Sequence, residues 1–275
     1  GNANGQGRED LAEKIAGKAI SFAWLSASLI GLTVLFFAAD LFSLMGAEGE
    51  YTQDSIKYLS IILPTLVFSA HSMTANGILN SLGDTTSFRN SLIVAFFANI
   101  VLDPLLMFTF GWGVYGLAAA TALTQLGSGI YLTIKVRQSR LGNSLALTNL
   151  LPDWSQYKAL FNQSLPASTN MFFIALGSII ITSAVARFGE NAVAGLGLAL
   201  RIEQLVLLPT VGINIAVLSL ISVNFGAKQF SRIKELYFKA LLFGSSFMVV
   251  AGIILFFGAE FFVSQFTNIS EVIMS

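Results

Sequence analysis

Six uninterrupted charge-free stretches, at 19–39, 58–83, 104–134, 159–186, 204–227 and 240–259, constrain this chain more than any other feature. A membrane-spanning helix needs about 20 predominantly apolar residues, and each stretch meets that length. Residues 90–102 extend the third stretch backwards, interrupted only by Asp103. The cluster Gly111-Trp-Gly-Val-Tyr-Gly116 then divides 87–136 into two helices. The fifth stretch extends back to about 192 through Arg201 and Glu203. The sequence therefore predicts an all-α polytopic membrane protein with seven helices, at about 16–39, 55–82, 87–110, 114–136, 160–187, 192–223 and 229–263.

Composition closes off other classes. Charged residues make up 11% of the 275, against about 25% in soluble domains, so most of the surface is expected to meet lipid. Net charge is zero, and nothing argues for a nucleic-acid partner. The absence of cysteine removes disulfides, thiolate metal sites and Cys nucleophiles. One histidine, His71, leaves no His-based metal site and no Ser-His-Asp triad. The chain is not expected to be an enzyme or to carry a cofactor.

The basic residues fix an orientation. If the first helix starts on the cytoplasmic side, cytoplasmic segments hold Arg8, Lys14, Lys18, Arg89, Lys135, Arg137, Arg140, Lys158, Lys228, Arg232, Lys234 and Lys239. Outer loops hold only Lys57 and Arg187, as the positive-inside rule requires. The longest polar segment, 137–159, reads as a cytoplasmic linker between one lobe at 1–136 and another at 160–275. Within it, Trp154 to Phe161 reads either as a short amphipathic stretch lying on the membrane surface or as an ordinary loop.

An internal repeat supports two lobes. Leu35-Phe-Phe-Ala-Ala-Asp-Leu-Phe42 recurs as Leu255-Phe-Phe-Gly-Ala-Glu-Phe-Phe262 at a spacing of 220, while Lys18-Ala19 answers Lys239-Ala240 one residue out of register. The loops before these helices also agree, Asn4 to Arg8 beside Asn224 to Lys228. Both copies enter from the same side, so the repeats are parallel. Six helices per period imply twelve in the whole protein. The chain begins Gly-Asn-Ala-Asn without an initiator Met or a signal-peptide pattern. It is read as a piece running from the end of helix two to just past helix nine.

The chemistry concentrates on Asp103, in Asn99-Ile-Val-Leu-Asp-Pro104. A carboxylate inside a spanning helix marks an ion or substrate path. Asn99 sits four residues earlier on the same face. Pro104 has no N–H, which frees the carbonyl of Ile100. Asp103 lies about seven residues before its helix ends, roughly 10 Å deep at 1.5 Å per residue. Thr121 lies about seven residues into the next, antiparallel helix, and is expected level with Asp103. Gln125, on the Thr121 face, is expected level with Asn99. Such a polar ladder suits a carboxyl that carries a proton or, with its oxygen-rich neighbours, holds Na⁺. Arg201, Glu203 and Gln204 form the other polar group within a span. Arg201 and Glu203 diverge by about 200° on a helix, and ion pairing across helices and substrate contact both remain open. His71 reads as a satisfied interior group in preference to a proton relay.

Leu82-Gly-Asp-Thr-Thr86, Asn99-x-x-x-Asp-Pro104, Gly116-Leu-Ala-Ala-Ala-Thr121 and Asn224-Phe-Gly-Ala227 together resemble the multidrug and toxic compound extrusion (MATE) antiporters, over nearly the whole chain. Leu165-Pro166, with Arg201 and Glu203, looks more like the DinF-like branch. The resemblance implies a two-lobed twelve-helix antiporter of the bacterial or archaeal cytoplasmic membrane. It would export small organic cationic or amphipathic compounds against Na⁺ or H⁺ entry, and work as a monomer in the lipid bilayer when full-length. It also implies that Asn99, Asp103 and Thr121 belong to a coupling-ion site whose acidic partner on helix one lies outside this chain. Ser87-Phe88 stands where the family often has Pro. A lipid-linked oligosaccharide or peptidoglycan-precursor flippase would need a strongly basic cavity, and Arg201 is the sole candidate cation. A seven-helix receptor would start outside, and a retinal protein would need a Lys in the last helix.

Overall fold

The structure is a computed structural model that describes residues 1–44 and 50–264. Short α1 (Asn2–Gly5) leads into α2 (Glu9–Phe36) and α3 (Ala38–Leu44). Then come α4 (Glu50–Ile62), α5 (Thr65–Ser81) and α6 (Thr86–Pro104). A π-helical turn over Leu105–Thr109 precedes α7 (Val114–Gln138), and α8 (Leu147–Leu150) interrupts the connection to α9 (Trp154–Val185). α10 (Glu190–Gly226) and α11 (Phe230–Ser264) are the last described elements. Among the described residues seven segments are long and apolar enough to span a membrane: Glu9–Phe36, Ser55–Ser81, Thr86–Thr109, Val114–Gln138, Trp154–Phe188, Asn191–Gly226 and Phe230–Gly258. They are the seven spans read from the sequence. In hydrocarbon each backbone polar group must be satisfied within its own segment, which leaves helices as the solution for such stretches.

Two expectations change. The second span is not one helix but two, α4 and α5, broken at Leu63-Pro64. Pro64 cannot donate to the preceding turn, and Thr65 Oγ1 donates to the carbonyl of Ile62 at 2.6 Å where the ladder is interrupted. The stretch from Trp154 to Phe161 is helical and not a loop. It is the first two turns of α9, continuous with the span.

Contacts divide the chain into two compact units, Gly1–Leu160 and Phe161–Ser275. In the first, α2, α5 and α7 share an apolar core of small and branched residues: Ala12, Ala16, Ile20, Ala75, Ile78, Leu79, Leu132 and Val136, with Leu141 beneath. Alanines let these helices approach closely, which is how packing contributes where lipid is as apolar as the side chains. This core lies at the end of the bundle that carries Lys18, Arg137 and Arg140, the basic end. In the second unit α10 packs along α11, and Thr210 Oγ1 meets the thioether of Met248 at 3.3 Å. Among its described residues no apolar side chain is buried. Phe172, Phe256 and Phe257 face outward, as lipid-facing positions do.

The repeat is written into the backbone. At the end of α1, Gly7 adopts φ 70° while its N–H bonds the carbonyl of Asn4 and that of Arg8 bonds Ala3. At the end of α10, Lys228 adopts φ 58° while its N–H bonds Phe225 and that of Gln229 bonds Asn224. This is one Schellman-type turn made twice, each donor and acceptor displaced by 221 residues. Helices α2 and α11 start at that same spacing, one residue more than the spacing of the Phe-Phe motifs.

Candidate functional site

The polar site is built where α6, the π-turn and α7 meet. Asp84 starts α6: its carboxylate accepts the N–H groups of Thr86 (3.0 Å) and Ser87 (2.9 Å) and both hydroxyls, at 3.0 and 2.5 Å. Burial alone would raise its pKa, but the Ser87 and Thr86 bonds outweigh it and hold the carboxyl down at about 2. The Gly-Asp-Thr-Thr motif is thus a helix cap, fixing the register of the helix that carries Asn99 and Asp103.

At the other end, Pro104 withholds the N–H that Ile100 would receive, and the N–H of Leu105 goes to Leu102 and Val101. The chain continues as a π-turn, closed by Phe110 N–H to Leu105 C=O at 3.0 Å. Such turns recur at functional positions because they re-aim the side chains around them. α7 then returns in close contact. A Cβ on Gly116 would sit 2.7 Å from the carbonyl carbon of Leu106 and 2.8 Å from its oxygen, so only glycine fits.

Across this hairpin Thr124 Oγ1 donates to Asn99 Oδ1 at 3.2 Å, sharing its proton with the carbonyls of Ala120 and Thr121. Counting along the two helices puts Gln125 at this level; the height holds, but the partner is Thr124, one residue earlier and buried. Gln125, Thr121 and Asp103 are half-buried, and no hydrogen bond or ion pair joins Asp103 to Thr121. Among the described residues the carboxylate of Asp103 has no hydrogen-bonded or ionic partner. A groove of about 310 Å³ runs along α6 and α7, lined by Asn90, Ser91, Leu102, Thr124, Ser128 and Tyr131. It passes the Asn99–Thr124 bond and reaches the residue before Asp103.

Arg201, Glu203 and Gln204 lie on α10 in the second unit, all three exposed, and no ion pair joins Arg201 to Glu203. Among the described residues no cluster of three or more His, Asp or Glu side chains forms. Around this hairpin the described residues place one carboxylate, an amide-hydroxyl pair and a loosened turn.

His71 is satisfied on both nitrogens, as expected of an interior group. Trp24 Nε1 donates to Nδ1 at 3.2 Å, and Nε2 meets Thr133 Oγ1 at 2.7 Å. The network ties α2, α5 and α7 together. Lys18 is the residue that the sequence did not single out. Counted there as a loop charge, it is 4% exposed and bonds the carbonyls of Thr148 and Leu151 at 3.1 and 2.5 Å. Its signals were a charge at the very start of an apolar span and a counterpart in Lys239.

Residues 1–105 and 166–274 match the MatE family. The chain belongs to that family. Among MATE relatives it is 27% identical over 242 residues to the probable multidrug resistance protein YoeA of Bacillus subtilis, covering 86% of this chain and 52% of YoeA. It is 29% identical over 256 residues to the FAD transporter of Shewanella oneidensis, covering 89% of this chain and 54% of that protein. The MATE transporter VcmN of Vibrio cholerae, solved as a point mutant, superposes with TM-score 0.92 at 24% identity, over 99% of this chain and 62% of VcmN. The fold is that of MATE proteins, multi-pass in the cytoplasmic membrane. The chain spans about half the length of the curated relatives it matches.

Proposed function

We propose that the full protein is a cation-coupled secondary antiporter, exporting organic and often cationic compounds by alternating access. The observation that carries the reading is Asp103, a carboxylate without a partner on the last turn before Pro104, in a chain of this family. The relatives YoeA of Bacillus subtilis and NorM of Thermotoga maritima carry names of multidrug resistance proteins, which supports the cargo class. In the mechanism Asp103 takes up H⁺ or Na⁺ with Asn99 and Thr121 beside it. Neutralising the charge lets the Pro104 turn repack against α7, which alters the groove and lowers affinity for cargo facing outward. Gln125 borders the same face; on α10, Arg201, Glu203 and Gln204 are the candidate residues for substrate contact. The pairing of Leu165-Pro166 with Arg201 and Glu203 supports the DinF-like branch. We read the chain as helices three to nine of twelve, the acidic partner of Asp103 lying on helix one.

The test is reconstitution of full-length protein with Asp103→Asn and measurement of efflux under imposed Na⁺ and H⁺ gradients. Loss of ion-driven efflux is expected, together with retained cargo binding. Unchanged transport with unchanged coupling would sink the reading. Because one relative carries FAD in its name, the cargo panel should include a flavin nucleotide beside organic cations. Exchange of the flavin alone would replace the cargo class and leave the coupling role of Asp103 in place.

A further inference from the structure

Four residues at the basic end of α2, Lys14, Gly17, Lys18 and Ser21, stand three and four apart and so share one face of the helix. Each of them meets the connecting segment 139–157. Lys14 pairs with Asp153 at 3.7 Å. Gly17 lies so near that a Cβ there would sit 2.6 Å from the carbonyl oxygen of Ser144 and 2.7 Å from Asn149 Cβ. Lys18 bonds the carbonyls of Thr148 and Leu151 at the end of α8, groups that a helix terminus leaves without intrahelical donors. Ser21 Oγ accepts from the phenol of Tyr157 at 2.8 Å, and Phe22 meets that ring edge-on with centroids 5.3 Å apart.

We propose that residues 139–157 form a permanent latch on α2, closed in every state of the transport cycle. The proposal rests on the alternating-access reading above. The contacts differ in kind: an ion pair, a backbone approach that only glycine permits, a buried cation on carbonyls, and a buried phenol. Opening the segment would leave the buried ammonium and the paired hydroxyls without their partners at once, and such groups are costly to strand. A loop that opens and closes would be expected to rest on one such contact. The boundary between the two compact units falls after Leu160, beyond the whole set. Just past it α9 is weakened. Pro166 has no N–H for the carbonyl of Asn162, and Thr169 Oγ1 bonds back to the carbonyl of Leu165 at 2.8 Å, an arrangement that bends helices. The segment therefore travels with the first unit.

The ion pair is the outermost of the four contacts, and replacing it leaves the close approach at Gly17, the Lys18 bonds and the Tyr157–Ser21 bond in place. In full-length protein lacking other cysteines, Lys14→Cys with Asp153→Cys is labelled with nitroxides. The distance is measured by electron paramagnetic resonance at pH 5 and 8, with and without Na⁺. One unchanged distance population is expected; a second, longer population under any condition overturns the proposal. The same double variant, joined by a short bifunctional thiosulfonate reagent, is then assayed for efflux in liposomes. Efflux within twofold of the unlinked protein is expected. A loss of tenfold or more, restored by reduction, shows that the latch must open and also overturns the proposal. Absence of efflux in the unlinked protein would count against the transport reading, and the spin-label distances would still decide the latch.

Discussion

The indole of Trp24 donates its N–H to Nδ1 of His71 across 3.2 Å, joining α2 to α5 in the middle of the first unit. An indole nitrogen can only donate, so Nδ1 carries no proton and the ring is the Nε2–H tautomer. That hydrogen goes to Thr133 Oγ1, whose own proton goes to the carbonyl of Gly129 at 2.7 Å. Each atom in the chain of bonds has one role. Replacing His71 with Leu leaves the half-buried Trp24 donor without its acceptor, at a cost of about 1 kcal/mol. His71→Gln keeps an acceptor and a donor and should retain most of the stability. Thermal unfolding in detergent distinguishes them; equal melting temperatures for the two variants would contradict the assigned roles.

Lys18→Met keeps the length of the side chain and removes the charge that holds Thr148 and Leu151. Hydrogen bonds from a charged donor are each worth about 1.5–3 kcal/mol, so the connecting segment should loosen. Trypsin then reaches Arg137, Arg140 and Lys158 faster in the variant than in the parent protein. Equal digestion rates would mean that the segment is held elsewhere.

Gly116→Ala drives a methyl into the carbonyl of Leu106, and overpacking of this kind costs about 1–3 kcal/mol. Gly127, on the same helix, has open space where its Cβ would be. Gly127→Ala should gain up to about 1 kcal/mol from helix propensity. Opposite shifts in melting temperature are expected from two identical substitutions eleven positions apart.

Asp84 gives the chain an acid-sensitive cap. Its carboxyl titrates at about 2 when folded and at 3.8 in the free side chain. A lowered carboxyl contributes stability in full above its unfolded value and loses it as pH falls through the folded one. The start of α6 should therefore weaken between about pH 4 and pH 2. Asp84→Ala should remove about 1 kcal/mol at neutral pH, the usual worth of a cap, and flatten that part of the pH profile. A profile unaltered by Asp84→Ala would assign the acid transition to other carboxylates.

The seven spans were legible because lipid imposes one rule on every residue of a segment, and a window of apolar residues carries it. Helix depth was legible too: counting from the hairpin put Asn99 opposite the right turn of α7. The face was not. Each residue rotates a helix by about 100°, and the π-turn at Leu105–Thr109 shifts the phase that a count assumes. Thr124 therefore took the place given to Gln125. Pro64 was visible in the sequence, but a break there depends on how Thr65 and Leu63 share the interrupted ladder. Lys18 lay beyond reach for a different reason. Its burial is created by carbonyls 130 and 133 positions away, and no local pattern encodes such a partner.

The twin turns at Gly7 and Lys228 also differ in what their conformation costs. A left-handed residue costs about 1–2 kcal/mol when it is not glycine, yet the second copy holds the conformation with a lysine. The two turns share the same hydrogen bonds while differing in the residue that holds the left-handed position. The hydrogen bonds of the turn thus tolerate a lysine where the first copy uses glycine.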